Sequence, residues 1–187
     1  MAGSHKALIS VGAFAGLRIS EALGLTWGDI DFAGGSLRVR KQLGRDGRRV
    51  DPKTARAVRA VVLVPQVARL LKEHSLASPY KAPHEFVFAG PGGKGRDHRS
   101  TARIVQRIVE KAGLSDDVTF HTLRHGFASM LITSLGLDVE SVSRQLGHTT
   151  SSITLSTYSH AFDSVRNVDK LRDALAGEFA RISAASS

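Results

Sequence analysis

A chain of 187 residues can build one solid core, or a small core with a lobe, but is short for two independent domains. Apolar residues make up 42% of it, and no run reaches the roughly 18 uncharged residues of a membrane span, so a soluble protein is expected. The absence of cysteine excludes disulfides and thiolate metal sites and suits a reducing cytosol, while 26 Lys and Arg against 17 Asp and Glu leave a formal charge of +9.

In chain order, MAGSH has neither the apolar core nor the cleavage pattern of a signal peptide and reads as a cloning remnant at residues 1–5. His5 to Leu17 is apolar enough for a mostly buried helix, and RISEALGLTW, with Ile19, Leu23 and Trp27 four apart, for a short one after it. DFAGGS is a turn. SLRVRKQL alternates Leu37 and Val39 with Arg38 and Arg40, the period-two signature of a half-buried strand. GRDG then turns into a short strand RRVD, PKTA turns again, and AVRAVVLV forms a third strand. The expectation is one three-stranded antiparallel sheet from Ser36 to Val64 with a basic open face.

Pro65 suits the first turn of a helix, with Val67, Leu70 and Leu71 on its apolar side. The Pro/Gly-rich stretch from Ser78 to Gly95 is a connection holding a short apolar piece, EFVFAG. Ser100 to Ala112 reads as a basic helix, its core side Ile104, Ile108 and Val109, its other side Arg99, Arg103 and Arg107. Further helices are expected over Thr122–Ser134, Val139–Leu146, Ser151–Tyr158 and Ser164–Gly177. The fold class is therefore mainly α with one small three-stranded antiparallel sheet (α+β).

The charge is unevenly placed. Nine Lys or Arg against two Asp fall between Arg38 and Ala60, and five against one between Gly92 and Arg107, leaving the remainder slightly acidic. Concentration of this kind is expected of a surface that tracks a phosphate backbone.

HTLRHGFAS places His121 and His125 four apart, on one helix face, as in the H-E-x-x-H zinc motif. No Glu stands between them to act as base, and Arg124 puts a permanent cation beside any metal, which argues against a dication. A phosphate ligand makes the same crowding sensible, since Arg and His both donate to an anion. GPGGKGRD lacks the spacing of a phosphate-cradling P-loop, and no G-x-S-x-G elbow supports a serine hydrolase.

Three more pieces join this one: GLRISEALGL, PKTARAVRAVVLVP and LGHTTSSITLSTYSH. In this order and spacing the set resembles the catalytic domain of the tyrosine recombinases, the phage integrase family, over about Lys6 to Phe162. Residue by residue, the resemblance makes Arg18 the first arginine, Lys53 the hairpin lysine, His121 and Arg124 the H-x-x-R box, His148 the LGH histidine and Tyr158 the nucleophile. Glu21 and His125 become supporting residues. The one departure is ARAVR after Lys53, where the family often has serines before the arginine.

The resemblance implies a site-specific recombinase that cuts and rejoins DNA through a 3′-phosphotyrosine. Arg18, Arg124 and His148 hold the phosphate oxygens, His121 assists the tyrosine's proton transfer, and Lys53 protonates the leaving 5′ oxygen. The covalent link conserves the bond energy, so neither ATP nor a metal cofactor is called for. Arg38, Arg40, Arg99, Arg103 and Arg107 are the expected DNA contacts. Implied partners are a double-stranded recombination site, further copies of the chain in a tetramer on DNA (a monomer when free), and accessory DNA-bending proteins. The implied location is the cytoplasm of a bacterial cell, with a phage or chromosomal gene. On this reading residues 6–162 are the catalytic core, and residues 163–187, with Val168, Leu171, Leu175 and Phe179 on one stripe, form a tail that docks on its own core or on a neighbouring protomer. Because relatives usually carry N-terminal DNA-binding domains, an excised fragment is expected. A type IB topoisomerase is the nearest alternative and a catalytically idle DNA-binding module the second.

Overall fold

The computed structural model describes residues 2–52, 54–165 and 176. Lys53 and the apolar tail stripe at Val168, Leu171, Leu175 and Phe179 lie outside the described residues. The elements run α1 (Ala2–Ala15), α2 (Ile19–Leu23), β1 (Ile30–Asp31), β2 (Ser36–Val39), β3 (Gln42–Leu43), β4 (Arg49–Val50), β5 (Arg59–Val62), α3 (Pro65–Ala77), α4 (His98–Lys111), α5 (Phe120–Thr133), α6 (Val139–Leu146) and α7 (Ser151–Val165). The architecture is mainly helical with small antiparallel sheets, as the fold class anticipates.

The helix starts are set by local chemistry. Asp97 accepts from the Ser100 amide at 2.7 Å, Thr119 from the Thr122 amide at 3.2 Å and Asp138 from the Ser141 amide at 2.9 Å, each satisfying an amide that the first turn leaves free. Pro65 opens α3, where its missing N–H costs nothing. Gly147, at φ 65°, ends α6 in the left-handed conformation that a side chain disfavours. In α4 the buried residues are Thr101, Val105 and Val109, with Ile104 and Ile108 only half-buried, so the inward stripe is rotated from the expected one. Tyr158 has φ −121° and ψ 20° inside α7, a break in helical geometry.

The strands depart most from expectation. The order in the three-stranded sheet is β1-β2-β5, antiparallel, with Leu37 opposite Val61 and both buried. The segment expected as one strand from Ser36 is split at Arg40 and Lys41. There the Arg40 guanidinium turns to the buried carboxylate of Asp29, 2.7 Å away. Strand β3, beyond the split, pairs with β4 alone among the described residues, so RRVD belongs to a separate two-stranded ribbon. The third strand of the main sheet is instead Ile30–Asp31, hidden ahead of a turn in which Asp31 accepts from the Gly34 amide at 2.7 Å.

Two apolar clusters result. The larger gathers α1, α2, the main sheet, α3 and α4 around Leu8, Val11, Leu17, Leu37 and Leu71 and ends at Phe120 on α5. The smaller joins α5, α6 and α7 through Phe127, Leu131, Ile132, Val142, Leu146 and Tyr158. Helix α5 lies against both α1 and α7 and so ties the clusters together. At about 25 cal/mol per Å2, each fully buried Leu or Ile contributes roughly 2 kcal/mol. No described helix is long and apolar enough to cross a membrane.

Candidate active site

The site forms where the two clusters meet. Arg124 sits midway along α5, between Phe120 of one cluster and Phe127 of the other, and is 2% exposed. A guanidinium so buried requires acceptors. Nη1 donates to the Gly16 carbonyl at 2.6 Å and Nη2 to the Leu146 carbonyl at 2.7 Å. Gly16 can present that carbonyl because it has φ 61° and no side chain. A Cβ there would stand 2.3 Å from the Phe127 ring.

Glu21, 3% exposed, is the hub. Its carboxylate reaches back to the Arg18 amide (2.9 Å), accepts from Arg18 Nη1 (2.9 Å) and takes both terminal nitrogens of Arg59 (3.1 and 3.0 Å). Arg124 Nη1 lies 3.9 Å away. Burial alone would push the Glu21 carboxyl up, but the charge and hydrogen bonds of Arg59, then Arg18, hold it below its usual value. Burial pushes Arg124 down, helped by Arg18 and opposed by Glu21. Its guanidinium nevertheless remains the cation.

Arg59 belongs to this cluster although composition groups it with the surface basic run. Its side chain is 4% exposed, donates to the Gln145 carbonyl (2.8 Å) and the Ala57 carbonyl (3.1 Å), and lies against Gly147. Its offset of 38 positions from Glu21 left no local pattern to read. The only sequence signal was its place as the arginine of ARAVR.

His148 comes directly after Gly147 at the end of α6, and its Nδ1 is hydrogen-bonded to the Thr154 hydroxyl at 2.7 Å. Burial and then the charges of Arg124 and Arg18 push its pKa down to about 4, so the ring is neutral near pH 7. His121 is lowered too, by burial first and then by His125 and Arg124. The Tyr158 hydroxyl is bonded to His125 Nδ1 at 2.8 Å, with ring centroids 5.5 Å apart. Burial raises the phenol's pKa while the charges of Arg124 and Arg18 pull against that rise. His121 meets His125 edge-on, centroids 4.4 Å apart, so the described partner of the phenol is His125, with His121 one ring further away. The i, i+4 spacing set the pair on one face without telling which ring faces α7.

Arg18, Glu21, His121, Arg124, His125, His148 and Tyr158 thus share one cluster, linked by direct contacts or by each other's charges. Lys53 lies outside the described residues. Of the expected DNA contacts, Arg99, Arg103 and Arg107 are exposed along α4, and Arg38 is exposed on β2, 4.0 Å from Asp31. Arg40 differs, because Asp29 engages it together with Arg49 (2.6 Å) as a brace between strands. No group of three or more His, Cys, Asp or Glu among the described residues could hold a metal ion.

Residues 2–164 match the profile of the phage integrase family. A tyrosine recombinase of Thermosipho africanus is 37% identical, over 85% of this chain and 50% of the relative. A XerC-like tyrosine recombinase of Caldanaerobacter subterraneus is 30% identical, over 90% and 49%. The chain therefore spans about half the length of these curated relatives. Among solved structures, the Tn1549 transposon integrase in complex with circular intermediate DNA superposes with a TM-score of 0.73 at 28% identity, over 90% of this chain and 58% of that one. The XerA recombinase, at 21% identity and TM-score 0.68, shares the fold.

Proposed function

The chain belongs to the phage integrase family, and on that basis we propose that it is the catalytic part of a site-specific DNA recombinase. Tyr158 Oη attacks the phosphorus of a DNA phosphodiester. The new O–P bond leaves a 3′-phosphotyrosyl link as the bond to the 5′ oxygen breaks, and attack by another strand's 5′ hydroxyl reverses the step. The phenol gives its proton to His125 Nδ1, the nearest base, and Lys53 supplies one to the departing 5′ oxygen. Arg18, with a 38% exposed side chain, and Arg124 face the non-bridging oxygens, where negative charge grows in the transition state. The Thr154 hydroxyl can donate to His148 Nδ1, leaving the proton on Nε2 for the same phosphate.

The observation that carries this reading is the Tyr158–His125 hydrogen bond lying within the field of two guanidiniums. Arg38, Arg99, Arg103 and Arg107 would follow the duplex backbone, and copies of the chain would assemble as a tetramer on paired sites with accessory DNA-bending proteins. A bacterial cytoplasm fits, since the matched relatives are bacterial. Those relatives are recombinases, and no observation favours the topoisomerase or the idle-module alternative.

The test uses nicked suicide duplexes drawn from the DNA flanking the gene, incubated in EDTA and run on a denaturing gel. The natural chain should form a covalent adduct and Tyr158→Phe should not. An adduct that survives Tyr158→Phe, or one that forms only with added metal, refutes the mechanism.

A further inference from the structure

Beside His148, a cavity of about 400 Å3 opens between the Ala55–Ala57 turn and α6. Arg56, Arg59, Arg144, Ser143, Glu140 and His148 line it. Arg59 is already neutralised by Glu21. Arg56 has one loose ion pair, 3.8 Å from Glu140, and a 3.3 Å bond to the Thr149 carbonyl. Glu140 also accepts a hydrogen bond from Ser151, which draws its carboxylate to α7. Arg144 is exposed, and among the described residues no ion pair or hydrogen bond engages its guanidinium.

Ser143 supplies an independent sign of a ligand. It is 1% exposed, and its hydroxyl is the buried side-chain polar atom with no hydrogen-bond partner among the described residues. Natural structures seldom leave such a group unsatisfied, and a hydroxyl at the wall of a cationic cavity can donate to an anion's oxygen.

We propose that this cavity holds a second phosphate of the cleaved strand, next to the one that Tyr158 attacks, with Arg144 and Arg56 as its cations and Ser143 Oγ as its buried donor. The inference rests on the strand-cleavage reading above. Its chemistry is that of a phosphodiester monoanion: two guanidiniums offer the charge, and one hydroxyl fixes the position without adding more. Gripping a neighbouring phosphate would set the strand's register against the nucleophile, so positions on α6 would govern where along the backbone the cut falls.

The experiment places single methylphosphonates, which lack the negative charge, at each phosphate within two nucleotides of the cut in the suicide duplex. Adduct formation is then monitored with the natural chain, Arg144→Ala and Ser143→Ala. With the natural chain, one flanking position should slow the adduct about tenfold, as expected for loss of a charged hydrogen bond. Arg144→Ala should be slowed similarly on unmodified DNA and show no further loss at that position, because both changes remove the same contact. Ser143→Ala should slow the adduct while leaving the free protein's Tm unchanged or raised, an outcome that a purely structural serine would not give.

Equal methylphosphonate penalties in the natural chain and Arg144→Ala would overturn the proposal. So would thermal stabilisation by inorganic phosphate that Arg144→Ala abolishes, without any coupling to the DNA position, which would make the site one for a free anion. If the natural chain forms no Tyr158-dependent adduct at all, the cleavage reading itself fails and the cavity assignment falls with it.

Discussion

Replacing Glu21 with Ala tests the centre of the arrangement. The carboxylate takes four hydrogen bonds at 2.9–3.1 Å, three of them from guanidinium nitrogens, and is 3% exposed. The substitution strands Arg59, whose side chain is only 4% exposed, without a counter-charge. Removing one partner of a buried ion pair costs about 3–5 kcal/mol, which for a chain of this size corresponds to a Tm lowered by roughly 6–20 °C. Thermal and urea unfolding at pH 7 measure this directly. The cause is the orphaned charge rather than the lost contact, so Arg59→Met in the same chain should restore part of the deficit. The pH dependence has a definite sign. Glu21 is held below its usual pKa in the folded state, so its contribution is present above the normal carboxylate range and is lost as pH falls through the lowered value. Glu21→Ala should therefore flatten the acid limb of stability. A Tm within about 2 °C of the natural chain, or a double variant less stable than Glu21→Ala, would refute the account.

Gly16→Ala should destabilise by several kcal/mol, about 2–5, and slow adduct formation. The new methyl meets Phe127 at 2.3 Å in a left-handed backbone and displaces the carbonyl that holds Arg124. His148, lowered to about 4 in the fold, stabilises the protein fully above the usual histidine value and progressively less as pH falls from about 6.5 toward 4. His148→Gln should remove that slope from a Tm-versus-pH series. His125→Ala should slow covalent adduct formation more than His121→Ala, read from single-turnover rates. The reverse order would return the proton-accepting role to His121.

Elements whose limits are set by neighbouring residues were readable. Helix α6 runs over Val139–Leu146 as expected, because Asp138 caps one end and Gly147 must take a positive φ at the other. The strands were not readable in detail. With two to four residues each, they are fixed by partners across the sheet and carry little periodicity of their own. The buried carboxylate of Asp29, which pulls Arg40 out of a continuous strand, has no local signature either. The cluster at Arg18, Arg124, His148 and Tyr158 was recoverable from spaced motifs, whereas Arg59 was not, because a basic run reads as solvated surface until a carboxylate 38 residues away is known to meet it. Rotation about a helix axis defeats spacing in the same way. His121 and His125 share a face of α5, and only the packing of α7 decides which one meets the phenol.

The charge balance of the cluster explains why its arginines divide into two kinds. Three guanidiniums, Arg18, Arg59 and Arg124, surround one carboxylate, so the folded protein keeps a cationic excess where desolvation makes charge expensive. Carbonyl dipoles offset part of it, and they are distributed unevenly. Arg59 has two carbonyls and both carboxylate oxygens, which engage four of its five N–H donors and leave it little to offer a ligand. Arg124 has two carbonyls and only a distant carboxylate, and Arg18 has one carboxylate oxygen and an open side. The unmet positive charge therefore falls on the two arginines that also act on Tyr158 and His148. Glu21 makes the fold tolerate three cations, and a second carboxylate would cancel the excess that the proposed mechanism uses to draw a phosphate to the phenol.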